Sequence, residues 1–310
     1  MKQILGLFLV GVMAAPAAAQ ITVDGSRDAG YGGPALVLIG PSGLPSTAVQ
    51  TVDTGFGNNE SEWNAGYGVI DGGRLYLMLT GNLQANFNKL EIFIDSKAGG
   101  QTVFDSSGND GAGNMDGLRF DAGFTADYHI IARRGDSGGP KFDLDFANLG
   151  AQSASGYFDF LTGSGDSGSG STGTGVNANP IQVGYDGSNV LGVGGAAPAA
   201  ADPTAAAAVT TGLELSIDLA DLGYVGGPIH VMVGQNNQDH NYWSNQFLGG
   251  LGAPQGNLGG DGSGGFTGEG AIDFTLFAGN QFFTIAIPEP ATLGLGALAG
   301  VGLLAVRRRK

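Results

Sequence analysis

Gly212-Leu213-Glu214-Leu215-Ser216-Ile217-Asp218-Leu219 alternates apolar and polar residues without a break. Successive side chains of a strand point to opposite faces, so Leu213, Leu215, Ile217 and Leu219 share one side and Glu214, Ser216 and Asp218 the other. A helix would scatter both sets around its axis. The same period recurs in Leu75, Leu77 and Leu79, in Leu90, Ile92 and Ile94, in Phe142, Leu144 and Phe146, and in Ile229, Val231 and Val233. Leu118, Phe120, Ala122 and Phe124, then Phe274 and Leu276, then Phe283, Ile285 and Ile287 continue it. Each run reads as a half-buried strand with one face for a core. Many such strands separated by Gly, Asn and Asp predict an all-β fold, an antiparallel, jelly-roll-like β-sandwich with long Gly-rich loops.

Glycine supplies 59 of the 310 residues, far above the usual ~7%. It follows no collagen period, so it marks turns and loops. Thr162 to Gly175 is almost wholly Gly, Ser, Thr and Asp, a flexible-loop composition. Residues 196–208 are rich in Ala and Pro, and Pro198 and Pro203 limit any helix there to about Thr204–Val209. Because strands of one style lie on both sides of these insertions, a single sandwich over 20–287 is preferred to two domains.

The ends read as signals. Lys2, the apolar run Ile4 to Met13 and the small residues Ala14 to Ala19 form a secretory signal helix, with cleavage predicted before Gln20. At the other end Pro288-Glu289-Pro290 precedes an apolar run, 291–306, and Arg307-Arg308-Arg309-Lys310. The prolines break the chain from the preceding fold. The apolar run suits a short transmembrane helix, and the terminal cations hold it with the body outside. Removing these ends leaves eight Lys and Arg against 27 Asp and Glu, a body charge near −19. That charge excludes nucleic acid and anionic lipid as partners of the body and suits divalent cations or neutral glycans. There is no cysteine, so no disulfide braces this exported chain.

The tail closely resembles the PEP-CTERM sorting signal of Gram-negative bacteria, with Pro288, Glu289 and Pro290 as the name-giving tripeptide and Arg307, Arg308 and Arg309 in the basic end. The resemblance implies handling by the secretion machinery and an exosortase, membrane attachment through the helix before processing, and a destination in the cell envelope, at the surface or in the extracellular matrix. The body resembles carbohydrate-binding family 9 and DOMON-like sandwiches. The residues are Ile21-Thr22-Val23-Asp24-Gly25, Asp71-Gly72-Gly73-Arg74-Leu75-Tyr76-Leu77, Leu90-Glu91-Ile92-Phe93-Ile94-Asp95, Gly212 to Ile217 and Gly227-Pro228-Ile229-His230-Val231. That likeness implies a sandwich that binds a sugar or small ligand on one face, or a descendant that has lost this. The ligand-binding aromatics of those families have no clear motif positions here.

Three candidate sites stand out. Gly135-Asp136-Ser137-Gly138-Gly139-Pro140 matches the nucleophile motif of trypsin-like proteases and the G-x-S-x-G hydrolase pattern. A serine needs an imidazole to take its proton, and His129, His230 and His240 stand in no matching context. The flanking runs instead predict a turn between strands Tyr128–Arg134 and Lys141–Asn148. Asp105, Asn109, Asp110, Asn114 and Asp116 lie close together in a Gly-bent loop. Such oxygen ligands suit a structural Ca²⁺, although the Glu that closes an EF-hand is missing; the competing reading is a solvated acidic loop. Tyr242 and Trp243, in Asn236 to Phe247, and Trp63 are candidates to stack on a sugar ring beside amides and carboxylates; the competing reading makes both tryptophans core plugs. The histidines, isolated in sequence, read as structural. These features point to a non-catalytic surface or matrix protein, with a carbohydrate-binding module that recognises an extracellular glycan as the alternative and a hydrolase largely discounted.

Overall fold

A computed structural model describes residues 20–37, 46–54, 60–106, 108–163, 167–189, 191, 193, 198–266 and 269–286. The signal segment and the sorting tail, with its 291–306 helix, lie outside the described residues. Among the described residues no helix is long and apolar enough to cross a membrane.

Two antiparallel sheets make the body. The smaller runs in the order β3 (Trp63–Asp71), β4 (Arg74–Gly81), β12 (Gly212–Asp218), β11 (Gln182–Asp186), β10 (Ser167–Ser171) and β9 (Thr162–Gly163). The larger runs β2 (Ser46–Thr47), β1 (Leu36–Val37), β15 (Phe282–Ile285), β13 (Ile229–Asn236), β5 (Asn86–Asp95), β6 (Tyr128–Asp136), β7 (Pro140–Asn148) and β8 (Ser153–Tyr157). β14 (Trp243–Leu248) also joins β13. Gly72 and Gly73, with φ of 55° and 79°, make the tight β3–β4 turn; two residues of positive φ match the twist of a hairpin. β4 pairs with β12 from Arg74↔Asp218 to Thr80↔Gly212, so strands from both sides of the long insertions share one sheet.

Alternation places the core as the sequence predicts. Leu75, Leu77, Leu79, Leu213, Leu215 and Ile217 of one sheet meet Leu90, Ile92, Ile94, Ile130, Leu144 and Val231 of the other in a single buried cluster. Each side chain so removed from water contributes roughly 1.5–3 kcal/mol.

The outward faces depart from the half-buried reading. On the larger sheet, Phe93, Ala147 and Met232 point away from the core yet are buried under the β5–β6 and β14–β15 connections. Those connections supply Phe104, Met115, Leu118, Phe120, Phe124 and Phe274. Leu118 to Phe124 is therefore cover, not a strand: Arg119 makes isolated bridges to Val103 and Asp273, and the apolar side chains fill the second cluster. Phe274–Leu276 is a 3₁₀ turn rather than a strand, because the Asp273 carboxylate caps it at Thr275 N, 3.0 Å away. On the smaller sheet, Tyr67 and Met78 are covered by Tyr31, Val193 and Ala206.

Two loops also differ from expectation. Within Thr162 to Gly175, β9 and β10 extend the smaller sheet, because backbone pairing to β11 needs no apolar side chain from the Ser-Gly run itself. The Ala/Pro segment forms α1 (Pro203–Ala208), with Pro203 in its first turn and Asp202 accepting from Thr204 N and Ala205 N.

Candidate functional site

The β13–β14 connection, residues 237–242, is held from below by a buried ionic network. Its base is Glu91, the outward residue of an otherwise apolar run in β5. β6 pairs Phe93 with His129 and Glu91 with Ile131, which puts His129 diagonally beside Glu91 on the same face. His129 Nε2 lies 2.7 Å from Glu91 Oε2 and His240 Nδ1 lies 2.6 Å from Oε1, with all three residues fully buried. The Phe93 ring stacks on His129 at 4.3 Å.

The network continues outward. His240 Nε2 is 3.1 Å from the Asp110 carbonyl oxygen, and Lys89 Nζ is 2.8 Å from Asp110 Oδ2. Arg133 donates to Asp110 and Asp145 at 2.6 Å each and stands 3.4 Å from Asp143. Asp110 and His240 both adopt left-handed backbone, with φ of 48° and 50°. Such strain persists only where surrounding contacts enforce it.

The charges explain the titration. Burial alone would raise the Glu91 carboxyl, but His240 and His129 overcome it and hold the group well below the ordinary carboxylate range. Burial opposes a charge on His240, and Glu91 outweighs it, holding the ring up to about 9. Lys89 Nζ stands 2.6 Å from His240 Nε2, where only one nitrogen can donate along that line. A cationic His240 therefore requires Lys89 to direct its ammonium to Asp110. Burial also works to raise Asp110, but the hydrogen bonds from His240 and Lys89 and the charge of Arg133 hold it down. For Asp145 burial prevails over Arg133, and its carboxyl is raised.

The ends of the same β13–β14 connection, Asn236, Asn237 and Tyr242, line a separate cleft together with Glu60, Ser61, Gln84, Asn88, Gln235 and Ser244. Asn236 Oδ1 accepts from Asn237 N at 2.8 Å and Tyr242 N at 3.3 Å, which fixes the loop that carries Tyr242. Gly234 leaves the space that Trp243 and Phe247 fill: a Cβ there would come within 2.6 Å of the Phe247 ring and 2.7 Å of Trp243.

The predicted site residues fall as follows. Trp63 and Trp243 are fully buried, so neither offers a ring face to a ligand. Trp63 Nε1 donates to Gln235 at 2.9 Å, and Trp243 packs on Phe247 and Phe274. Tyr242 is half-buried and stacks on Phe266 at 4.3 Å. The predicted calcium loop holds short 3₁₀ turns within Asn109–Met115, interrupted by a kink at Asp110 and Gly111. Within it Asp110 serves Lys89 and Arg133, Asp116 Oδ1 accepts from Ser106 N at 2.7 Å, and Asn114 donates to the Asp239 carbonyl at 2.7 Å. Asp105 is exposed, its amide bonded to Gln101, and Asn109 Nδ2 is buried. Among the described residues no group of three or more His, Asp or Glu is arranged to hold a metal. Gly135 to Pro140 forms the predicted hairpin turn, with Ser137 N donating to Gly139 O at 3.0 Å.

The sequence reading missed the joining of His129 and His240 through Glu91. Their separation along the chain hid it. The available signal was a carboxylate sharing a strand face with Phe93: one outward position is apolar and its neighbour charged, a pattern for a covered face.

Residues 286–310 match the family described as the PEP-CTERM protein-sorting motif. The motif implies processing by an exosortase and export to the cell envelope or surface. No curated protein and no solved structure matches the chain.

Proposed function

We propose that this chain is a non-catalytic protein of the cell surface or extracellular matrix of a Gram-negative-type bacterium. The observation that carries the reading is the sorting motif at 286–310, which addresses the body before it to the outside. The interior supports it. The chain has three histidines, and each ring is spent internally: His129 on Glu91, His240 on Glu91 and the Asp110 carbonyl, and His230 on Thr284 at 2.9 Å. Ser137, in a hairpin turn, is left without the imidazole that would activate it. Incubation with a fluorophosphonate probe tests this: no labelling is expected, and labelling lost in Ser137→Ala would overturn the reading.

The second reading is a carbohydrate-binding module, which the sequence resemblance to family 9 and DOMON-like sandwiches would imply. The amide-lined cleft beside Tyr242 favours it. The calcium reading of the 105–116 loop is tested by the melting temperature with calcium and with chelator; an unchanged value would remove it.

A further inference from the structure

The cleft between β5 and the β13–β14 connection has a composition unlike the rest of the molecule. The body is strongly acidic, yet Glu60 is the only ionisable carboxylate or amine among its lining residues; amides and hydroxyls make up the rest. Its interior wall is internally satisfied: Gln235 Nε2 donates to the carbonyls of Lys89 and Asn236, and its Oε1 accepts from Trp63. Its rim is different. The side chains of Glu60, Asn88 and Tyr242 make no hydrogen bond to any described residue, and the buried Ser244 Oγ, which accepts from Gln246 N, keeps its own proton to donate. Donors and acceptors thus converge on one space without partners among the described residues.

Beside them stands an aromatic surface. Tyr242 lines the cleft and carries Phe266 stacked against it, their planes 29° apart, and Phe266 is 71% exposed. A half-buried tyrosine carrying an exposed phenylalanine at the rim of a polar cleft matches a ligand with hydroxyls on its edge and an apolar face, with each hydroxyl able to donate and accept. A phosphate or other anion would meet Glu60 and no cation. An apolar ligand would leave the amides unpaired at a cost of ~1–3 kcal/mol for each buried group. The site is also rigid. The His240–Glu91 contact and the Asn236 side chain hold the loop before any ligand arrives, which lowers the ordering cost of binding.

We infer that this cleft is a binding subsite for a neutral polysaccharide, with Tyr242 and Phe266 stacking on a pyranose ring and Glu60, Asn88 and Ser244 bonding its hydroxyls. The inference rests on the binding-module reading and gives it a location distinct from the buried tryptophans.

The test is electrophoresis of the full chain in native gels containing dextran, galactomannan or mixed-linkage β-glucan, with alginate as an acidic comparison. At least one neutral glycan slows the chain, and alginate does not. Tyr242→Ala and Asn88→Ala each weaken the retardation about tenfold, equivalent to ~1.4 kcal/mol. Lys141→Ala, a surface change paired with Asp159 near the β6–β7 turn, leaves it unchanged. Unfolding midpoints of the variants identify any loss of fold, and the half-exposed Asn88 supplies a variant that does not disturb packing. Retardation by none of the neutral glycans, retardation by alginate alone, or full retardation of both cleft variants would overturn the inference. Any of these results would leave the fluorophosphonate test of the non-catalytic reading standing.

Discussion

Glu91 and Glu214 occupy comparable places on the two sheets and are handled in opposite ways. Each lies on an interior strand, faces away from the shared core and is fully buried. Glu91 meets two imidazoles. Glu214 accepts from neutral donors: Asp24 N at 2.9 Å, Gly25 N at 3.1 Å and the Tyr31 hydroxyl at 2.7 Å. Burial pushes both carboxyls up. The histidines reverse this for Glu91, whereas the neutral donors only moderate it for Glu214, whose carboxyl stays raised. The cover of the larger sheet is therefore fastened by charge. The N-terminal cover of the smaller sheet is fastened by neutral hydrogen bonds and apolar contacts.

The sharpest way to break the comparison is to neutralise Glu91. Glu91→Gln strips the counter-charge from His240 and a hydrogen-bond partner from His129, and a loss of about 3–5 kcal/mol is expected in urea unfolding at pH 7. Arg133→Gln comes next. It leaves Asp110, Asp143 and Asp145 facing one another, and about 2–4 kcal/mol should be lost, read from the same unfolding curves. Glu214→Gln should cost no more than about 1 kcal/mol at pH 7, since its carbonyl can keep both backbone donors and its amide can turn to the Tyr31 oxygen. Ser137→Ala, in an exposed turn far from both clamps in the ladder, should stay within about 0.5 kcal/mol.

The inner face of each sheet was legible in the sequence because apolar residues at every second position can serve only a shared core. Leu75, Leu77 and Leu79 needed no knowledge of their partners. The outer faces were not legible in that way. Leu118, Phe120 and Phe124 alternate like a strand but cover one, and alternation does not distinguish a chain that pairs from a chain that packs. Tyr242 was picked out correctly as a loop aromatic at a strand end. Its neighbour Trp243 looked equally available, yet one residue further on it enters β14 and turns into the second cluster, because the space left by Gly234 receives it. The Glu91 network depends on strand register and on a loop returning from residue 240, and neither is encoded in local spacing.

The most direct measurement is the unfolding free energy of the parent, Glu91→Gln and Glu214→Gln from pH 3 to pH 6, below the range in which His240, held up to about 9, adds a pH dependence of the opposite sign. The folded Glu91 carboxyl lies below its ordinary value of 4.5, so its contribution is present above that pH and fades as pH falls. The folded Glu214 carboxyl lies above 4.5, so its contribution is present below that pH and fades as pH rises through the folded value. The cost of Glu91→Gln should therefore grow with pH while the cost of Glu214→Gln shrinks. Costs that move in the same direction would contradict a charge clamp on one face and a neutral clamp on the other.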